Sequence, residues 1–322
     1  MKIAVLFPGQ GSQKVGMGSD LYSQTEIGKK LFTDVDNILG RNLSNTILNG
    51  PAEELNKTSN TQPAIVVISI ALVLLLNEEM KVRGISLKPY TCAGHSLGEF
   101  TALWYADALT LDEVLKAVAV RGALMQDAMP GAMAAVLNLK EEEIKQVIKN
   151  ASLGDEIVIA NYNSPMQFVI SGKIEAINTI SEKVKQAGGK IIILPVGGAF
   201  HSPLMKEASL KFNLELDKLD LLSKGKTTIS VYQNYDGNSS DNLQIVKEKI
   251  KKQMTSSVLW TQTVNNLVTN GVTTVIEIGS GKVLTGLVKK INQTLECYNV
   301  YDLESLKSFI TNYEYKLLSA KS

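Results

Sequence analysis

Short, wholly apolar runs bounded by glycine or proline alternate with longer amphipathic segments along most of this chain. That rhythm predicts strands and helices in alternation, and so a mainly parallel sheet covered on both faces. The opening run KIAVLF ends at Pro8-Gly9 and predicts a buried strand. The glycine-rich loop PGQGSQKVGMG and a polar helical region to about Leu39 follow it. Residues 55–62 are polar and read as a loop. Pro63 then suits the first position of a long helix, because its missing N–H would be unpaired there in any case. That helix continues through Ala64–Leu76, AIVVISIALVLLL, an apolar run of 13 residues. A membrane span needs about 20, so the segment is expected to lie buried inside a soluble protein.

Beyond Pro89, YTCAGHSLGEFTALWYADAL predicts a strand, a sharp glycine-flanked turn and a helix. Another helix is expected over 112–129, capped by Thr110 and closed by Pro130-Gly131. Residues 131–196 keep a rhythm of their own. AMAAVLNL, KEEEIKQVIKNA, IVIANYN, MQFVISG, IEAINTISEKVKQAGG and KIIILPV read β-α-β-β-α-β, the order of a ferredoxin-like unit. The expected organisation is a large α/β catalytic domain from 1–130 and 197–322, interrupted by a small ferredoxin-like subdomain over 131–196. In the large part, TISVYQN and VTTVIEIG predict two more strands, with helices around 245–254 and 260–270.

Composition narrows the possible functions. The 322 residues are 44% hydrophobic and 20% charged, which excludes wholesale disorder. With 33 basic against 32 acidic residues the net charge is +1, so neither nucleic acid nor a membrane surface is an expected partner. Cys92 and Cys297 are the only cysteines, which excludes a disulfide framework and favours the cytoplasm. Two histidines beside them are too few for a structural zinc site, and no cofactor is expected. The apolar run before Pro8 is too short for a signal peptide.

The strongest chemical signal is Gly94-His95-Ser96-Leu97-Gly98, a G-x-S-x-G between a predicted strand and a predicted helix. Such a turn lifts a serine hydroxyl to a helix N-terminus, where the Leu97 amide can donate to an oxyanion. The serine needs a base. His95 points elsewhere on such a turn and reads as structural, which leaves His201 in GGAFHSP. No carboxylate stands out to orient that imidazole. Asp236 could be the acid of a Ser-Asp dyad but, standing before Gly237, reads better as a turn residue, and a backbone carbonyl remains open as the orienting group. Arg121, one of three arginines, sits in the apolar AVAVRGALM and needs an anion if buried. It either forks a substrate carboxylate or pairs with a distant acidic residue. Gln10, in the loop after the first strand, is placed for a second oxyanion amide.

Together these segments resemble the malonyl-CoA:acyl-carrier-protein acyltransferase family nearly end to end. The resemblance rests on FPGQGSQ, TQPA at 61–64, AGHSLGEF at 93–100, VRGALMQ at 120–126 and NSP at 163–165. GAFHSPLM at 198–205, QM…W at 253–260 and EIGSGKVLTGL at 277–287 complete it. It implies an α/β-hydrolase-like large domain, Ser96 as nucleophile, His201 as base, Gln10 and Leu97 as oxyanion amides, and Arg121 as the malonyl carboxylate's partner. It further implies that the backbone carbonyl of Gln253 orients the histidine, and that Phe200 in Ala199-Phe200 favours malonyl over methylmalonyl units. Ser280 departs from the proline of many relatives, with little expected consequence.

The implied reaction is a ping-pong transfer from malonyl-CoA to the phosphopantetheine thiol of a holo acyl carrier protein. The chain is expected to be free-standing, serving fatty-acid synthesis or acting in trans on a polyketide synthase, with AGHSLGEFTAL and AFHS closer to the latter. The alternatives are an acyl hydrolase acting on carrier proteins, a generic serine esterase, and a non-catalytic docking subunit.

Overall fold

The computed structural model describes residues 1–221 and 225–319. Its strands are β1 (Ile3–Phe7), β2 (Thr91–Gly94), β3 (Ala132–Leu137), β4 (Ile157–Ser164) and β5 (Gln167–Gly172). They continue with β6 (Lys190–Ile193), β7 (Lys226–Tyr232), β8 (Ser239–Asn242), β9 (Thr274–Ile278) and β10 (Glu296–Val300). The helices are α1 (Ser19–Gln24), α2 (Glu26–Leu39), α3 (Leu43–Asn49), α4 (Ala52–Asn56), α5 (Thr58–Val82), α6 (Gly98–Tyr105) and α7 (Leu111–Gln126). After them come α8 (Glu141–Asn150), α9 (Ile174–Gln186), α10 (Lys206–Lys218), α11 (Leu243–Gln253), α12 (Trp260–Thr269), α13 (Val283–Ile291) and α14 (Leu303–Ser319).

One sheet runs β10-β9-β1-β2-β7-β8, with every pairing parallel except β7–β8. Its central strands β1 and β9 are buried along their whole length, as their unbroken apolar runs require. A separate antiparallel sheet runs β4-β5-β3-β6 and carries α8 and α9 in the expected β-α-β-β-α-β order. Its own core, including Ile144, Ile170, Ile177 and Ile180, is distinct from those of the larger sheet.

The long apolar helix is α5, and it is long and apolar enough to cross a membrane. In this fold 89% of its most apolar window is buried within the protein, where it packs on α7. Its start corrects the sequence reading. Residues 55–62 are helical rather than a loop apart from the break at Lys57, α5 begins at Thr58, and Pro63 lies inside it. Proline at that position leaves the carbonyl of Ser59 without its helical donor. Arg41 supplies one, its Nη2 donating to Ser59 O at 2.7 Å while Nη1 donates to Asn60 Oδ1. A distant guanidinium thus stands in for the missing N–H, which a local pattern cannot reveal.

The Thr110 cap holds, with Glu113 completing a capping box, although α7 ends at Gln126. The sequence reading did not include α3, α4, α10, α13, α14, β8 or β10. These are short, or mixed in polarity, or placed at a sheet edge, where exposure weakens the periodic signal.

Candidate active site

β2 ends at Gly94 and α6 begins at Gly98, so the chain must reverse within three residues. Ser96 stands at the apex with φ +50°, a left-handed conformation that costs a non-glycine residue energy. The flanking glycines are steric necessities. A Cβ on Gly94 would lie 1.9 Å from the carbonyl carbon of Gly98, and one on Gly98 would lie 2.1 Å from the carbonyl oxygen of Phe7. Asn234, just past β7, clamps the turn from behind: Oδ1 accepts from Ser96 N at 2.5 Å and Nδ2 donates to Gly94 O at 2.7 Å.

His201 reaches the same point from the loop after β6, also at positive φ (+56°). Its Nε2 is 2.7 Å from Ser96 Oγ, and its Nδ1 lies 3.0 Å from Gln253 O and 3.2 Å from Ser256 O. Two acceptors around Nδ1 place the ring proton there and leave the Nε2 lone pair facing the hydroxyl. Burial, then the Arg121 charge, push the imidazole pKa down to about 3, so it is neutral at pH 7 and able to take a proton. Among the described residues no carboxylate hydrogen-bonds the ring; the backbone carbonyls of Gln253, at the end of α11, and of Ser256 occupy that side. Asp236 lies elsewhere, accepting from Asn238 N and pairing with Lys249 at 2.9 Å, as a turn residue would.

Arg121 projects from α7 and is only 1% exposed. Its Nη1 donates to Gln62 Oε1 at 2.9 Å, and its Nη2 to Gln253 Oε1 at 2.9 Å and to Ser96 Oγ at 3.2 Å. All three partners are uncharged, and Nε has no partner among the described residues. Among the described residues Arg121 makes no direct ion pair with a distant acidic residue, the alternative the sequence left open. Burial lowers its pKa to about 10, leaving it a cation at pH 7.

Ser96, His201 and Arg121 open onto a cavity of about 280 Å³ that Gln10, Leu97 and Phe200 also line. The backbone amides of Gln10 and Leu97 donate to no acceptor among the described residues. Apolar walls come from Met125 on α7, Met133 on β3, Val169 on β5 and Leu194 after β6. His95 turns away to Asn163 Oδ1 (2.8 Å) and lies edge-on to Trp260.

The sequence reading missed several polar residues. Gln62 and Gln253 hold Arg121 with their side chains; Asn234 clamps the turn; Glu99 is wholly buried behind it. Two irregularities in the β4–β5 register fall at Ala160–Asn161 and at Asn163, and both asparagines line the cavity. A bulge redirects a side chain without leaving any periodic trace in sequence. Asn161, 6% exposed, makes no side-chain hydrogen bond to a described residue.

A serine–imidazole pair, two open amides and a guanidinium around one cavity have the parts of an acyl-transfer site on a mixed α/β fold. The acyl transferase domain family matches residues 5–314, and the chain belongs to that family. It is 43% identical over 311 residues to the malonyl CoA-acyl carrier protein transacylase of Bacillus subtilis, covering 95% of each chain. To the protein of that name from Haemophilus influenzae it is 38% identical over 311 residues, covering 95% of this chain and 97% of the other. Among solved structures it resembles a malonyl-transacylase in complex with its type II PKS acyl-carrier protein. That match has TM-score 0.90 and 34% identity, covering 97% of this chain and 100% of the other.

Proposed function

We propose that this chain transfers a malonyl group from malonyl-CoA to the phosphopantetheine thiol of an acyl carrier protein, through an acyl-serine. The observation that carries the reading is Arg121, a buried cation on uncharged partners, within 3.2 Å of the Ser96 hydroxyl. A site for neutral acyl chains has no use for an open guanidinium fork, whereas a malonyl unit brings a carboxylate to fill it. The hydrolase and esterase readings leave the buried arginine unexplained.

In this mechanism Ser96 Oγ attacks the thioester carbonyl as its proton passes to His201 Nε2. The amides of Gln10 and Leu97 hold the resulting oxyanion. The C–S bond then breaks, and the imidazolium returns the proton to the CoA thiolate. The carrier's thiol repeats the sequence in reverse on the acyl-serine, with His201 taking the thiol proton. Gln253 O receives the Nδ1 proton's hydrogen bond throughout. Arg121 holds the carboxylate and so fixes the thioester's approach. Phe200, lining the cavity beside Met125, limits bulk at the acyl C2.

The division into an α/β-hydrolase-like domain (1–130 and 197–322) and a ferredoxin-like subdomain (131–196) belongs to this reading. The two separate sheets and their separate cores support it. Both cysteines are free thiols, which suits the reducing cytoplasm.

Intact-protein mass measurement tests the proposal. Malonyl-CoA adds one malonyl mass, Ser96→Ala removes the adduct, and holo carrier protein discharges it onto itself. An adduct lost to water at the same rate with or without carrier would sink the transferase in favour of the hydrolase.

A further inference from the structure

Glu99 is a buried ionisable group, close behind Ser96, that the mechanism above leaves unused. It sits in the first turn of α6, is 1% exposed, and directs its Oε2 at Gln253 Nε2 (2.7 Å) and Asn234 N (3.1 Å). Its Oε1 has no partner among the described residues. A buried carboxylate held by only two donors is costly unless a cation stands near. The nearby cation is Arg121, whose charged form the Glu99 charge favours.

The two charges do not bond to each other. Gln253 stands between them, its Oε1 accepting from Arg121 Nη2 and its Nε2 donating to Glu99 Oε2. Cation on one side and anion on the other fix which way that amide points. The consequence is chemical. A carboxylate forked directly onto Arg121 would occupy the donors that a substrate carboxylate needs. Placed one amide away, it balances the buried charge and leaves the fork to uncharged partners that an anion can displace. The same residue reaches the reacting groups by two further routes. Gln253 Nε2 also donates to Ser96 O (2.9 Å), and Asn234 clamps the Ser96 turn.

We infer that Glu99 is a positioning residue of the transfer reaction: the indirect counter-charge that balances Arg121 without capping its fork, and so tunes selection of carboxylate-bearing acyl groups. The inference rests on the malonyl-transfer reading and deepens it. Burial holds the Glu99 pKa up at about 7, so its charge is best assayed at pH 8. Asp236 adds a weaker repulsion to it, and the two nearby imidazoles, His95 and His201, are held neutral.

The test is Glu99→Gln, which keeps the shape and an acceptor for Gln253 but removes the charge. With one carboxylate gone from the site, the pocket is more positive where the malonyl carboxylate docks. The ratio of malonyl to acetyl loading, as kcat/KM at pH 8, is expected to rise about three- to tenfold, chiefly through a lower malonyl-CoA KM. A merely structural residue would depress both acyl groups alike, and an unchanged ratio overturns the inference. Thermal melts give a second readout independent of activity. Glu99→Gln and Arg121→Met should each lower Tm, while the double variant should melt above the lower of the two, because no charge is then left unbalanced. If Glu99→Gln alone does not fold, recovery of a folded double variant carries the same meaning. Strictly additive losses would overturn the inference. Wild-type protein that does not load malonyl at Ser96 would instead overturn the underlying reading, with the stability cycle unaffected.

Discussion

The two sheets contribute differently to one cavity. The parallel-rich sheet carries Ser96 after β2 and Arg121 on α7, while His201 enters from the loop after β6 of the other sheet; the Ser96 turn has no slack, since Gly94 and Gly98 have no room for a methyl group. Apart from that loop, the antiparallel sheet delivers walls. Met133, Ala135, Asn161, Asn163 and Val169 line the cavity, and the edge strand β6 carries Ile192 and Ile193 half in solvent. Reacting atoms must be held to within a fraction of an ångström, whereas a wall need only exclude the wrong volume. The difference teaches where mutations should be intolerable and where they should retune.

The largest effect is expected at the turn. Gly98→Ala places a carbon 2.1 Å from Phe7 O, so β1 or α6 must shift. A loss of roughly 3 kcal/mol or more in urea unfolding is the expected result, with Ser96 no longer malonylated. A near-neutral Gly98→Ala would mean that the turn tolerates movement. Arg121→Ala is next: malonyl loading should fall by roughly 100-fold or more while acetyl loading holds or rises, as single-turnover rates would show. Equal losses for both would remove the carboxylate from the argument.

Phe200→Ala lies at the border between the two regions and should retune acyl choice. Methylmalonyl loading should gain on malonyl by about 10-fold, within the 1–3 kcal/mol that one methyl commands. The last prediction concerns stability and pH rather than acyl choice. The folded pKa of His201 is depressed to about 3 from the 6.5 expected when unfolded, so below 6.5 the unfolded chain binds a proton that the native protein refuses. The stability linked to this group is therefore full above 6.5 and is lost as pH falls toward 3. His95, also depressed, works in the same direction; Glu99, raised to about 7, opposes both as pH climbs from 4.5 to 7. Replacing His201 with Gln should remove about one proton from the slope of unfolding free energy between pH 4 and 6.

The legible parts of the molecule were those with a local signature. Buried strands such as β1 show as apolar runs, α8 and α9 as amphipathic periods, and the turn at Ser96 as two glycines around a serine. The resemblance carried residues with no local signature at all, and Gln253 O, 3.0 Å from His201 Nδ1, is one of them. What stayed hidden depends on distant partners. Pro63 reads as a helix start until Arg41 is seen supplying its missing donor. Gln62, Asn234 and Glu99 look like ordinary polar residues, and only the fold brings them behind Ser96 and Arg121.

The most direct test of the account is a crystal structure of the malonyl-loaded protein. The acyl group should be bonded to Ser96 Oγ, with its carbonyl oxygen on the amides of Gln10 and Leu97. Its carboxylate should lie bidentate on Arg121, displacing Gln62 or Gln253. A malonyl group on Ser96 whose carboxylate points to solvent, with Arg121 still held by both glutamines, would contradict it.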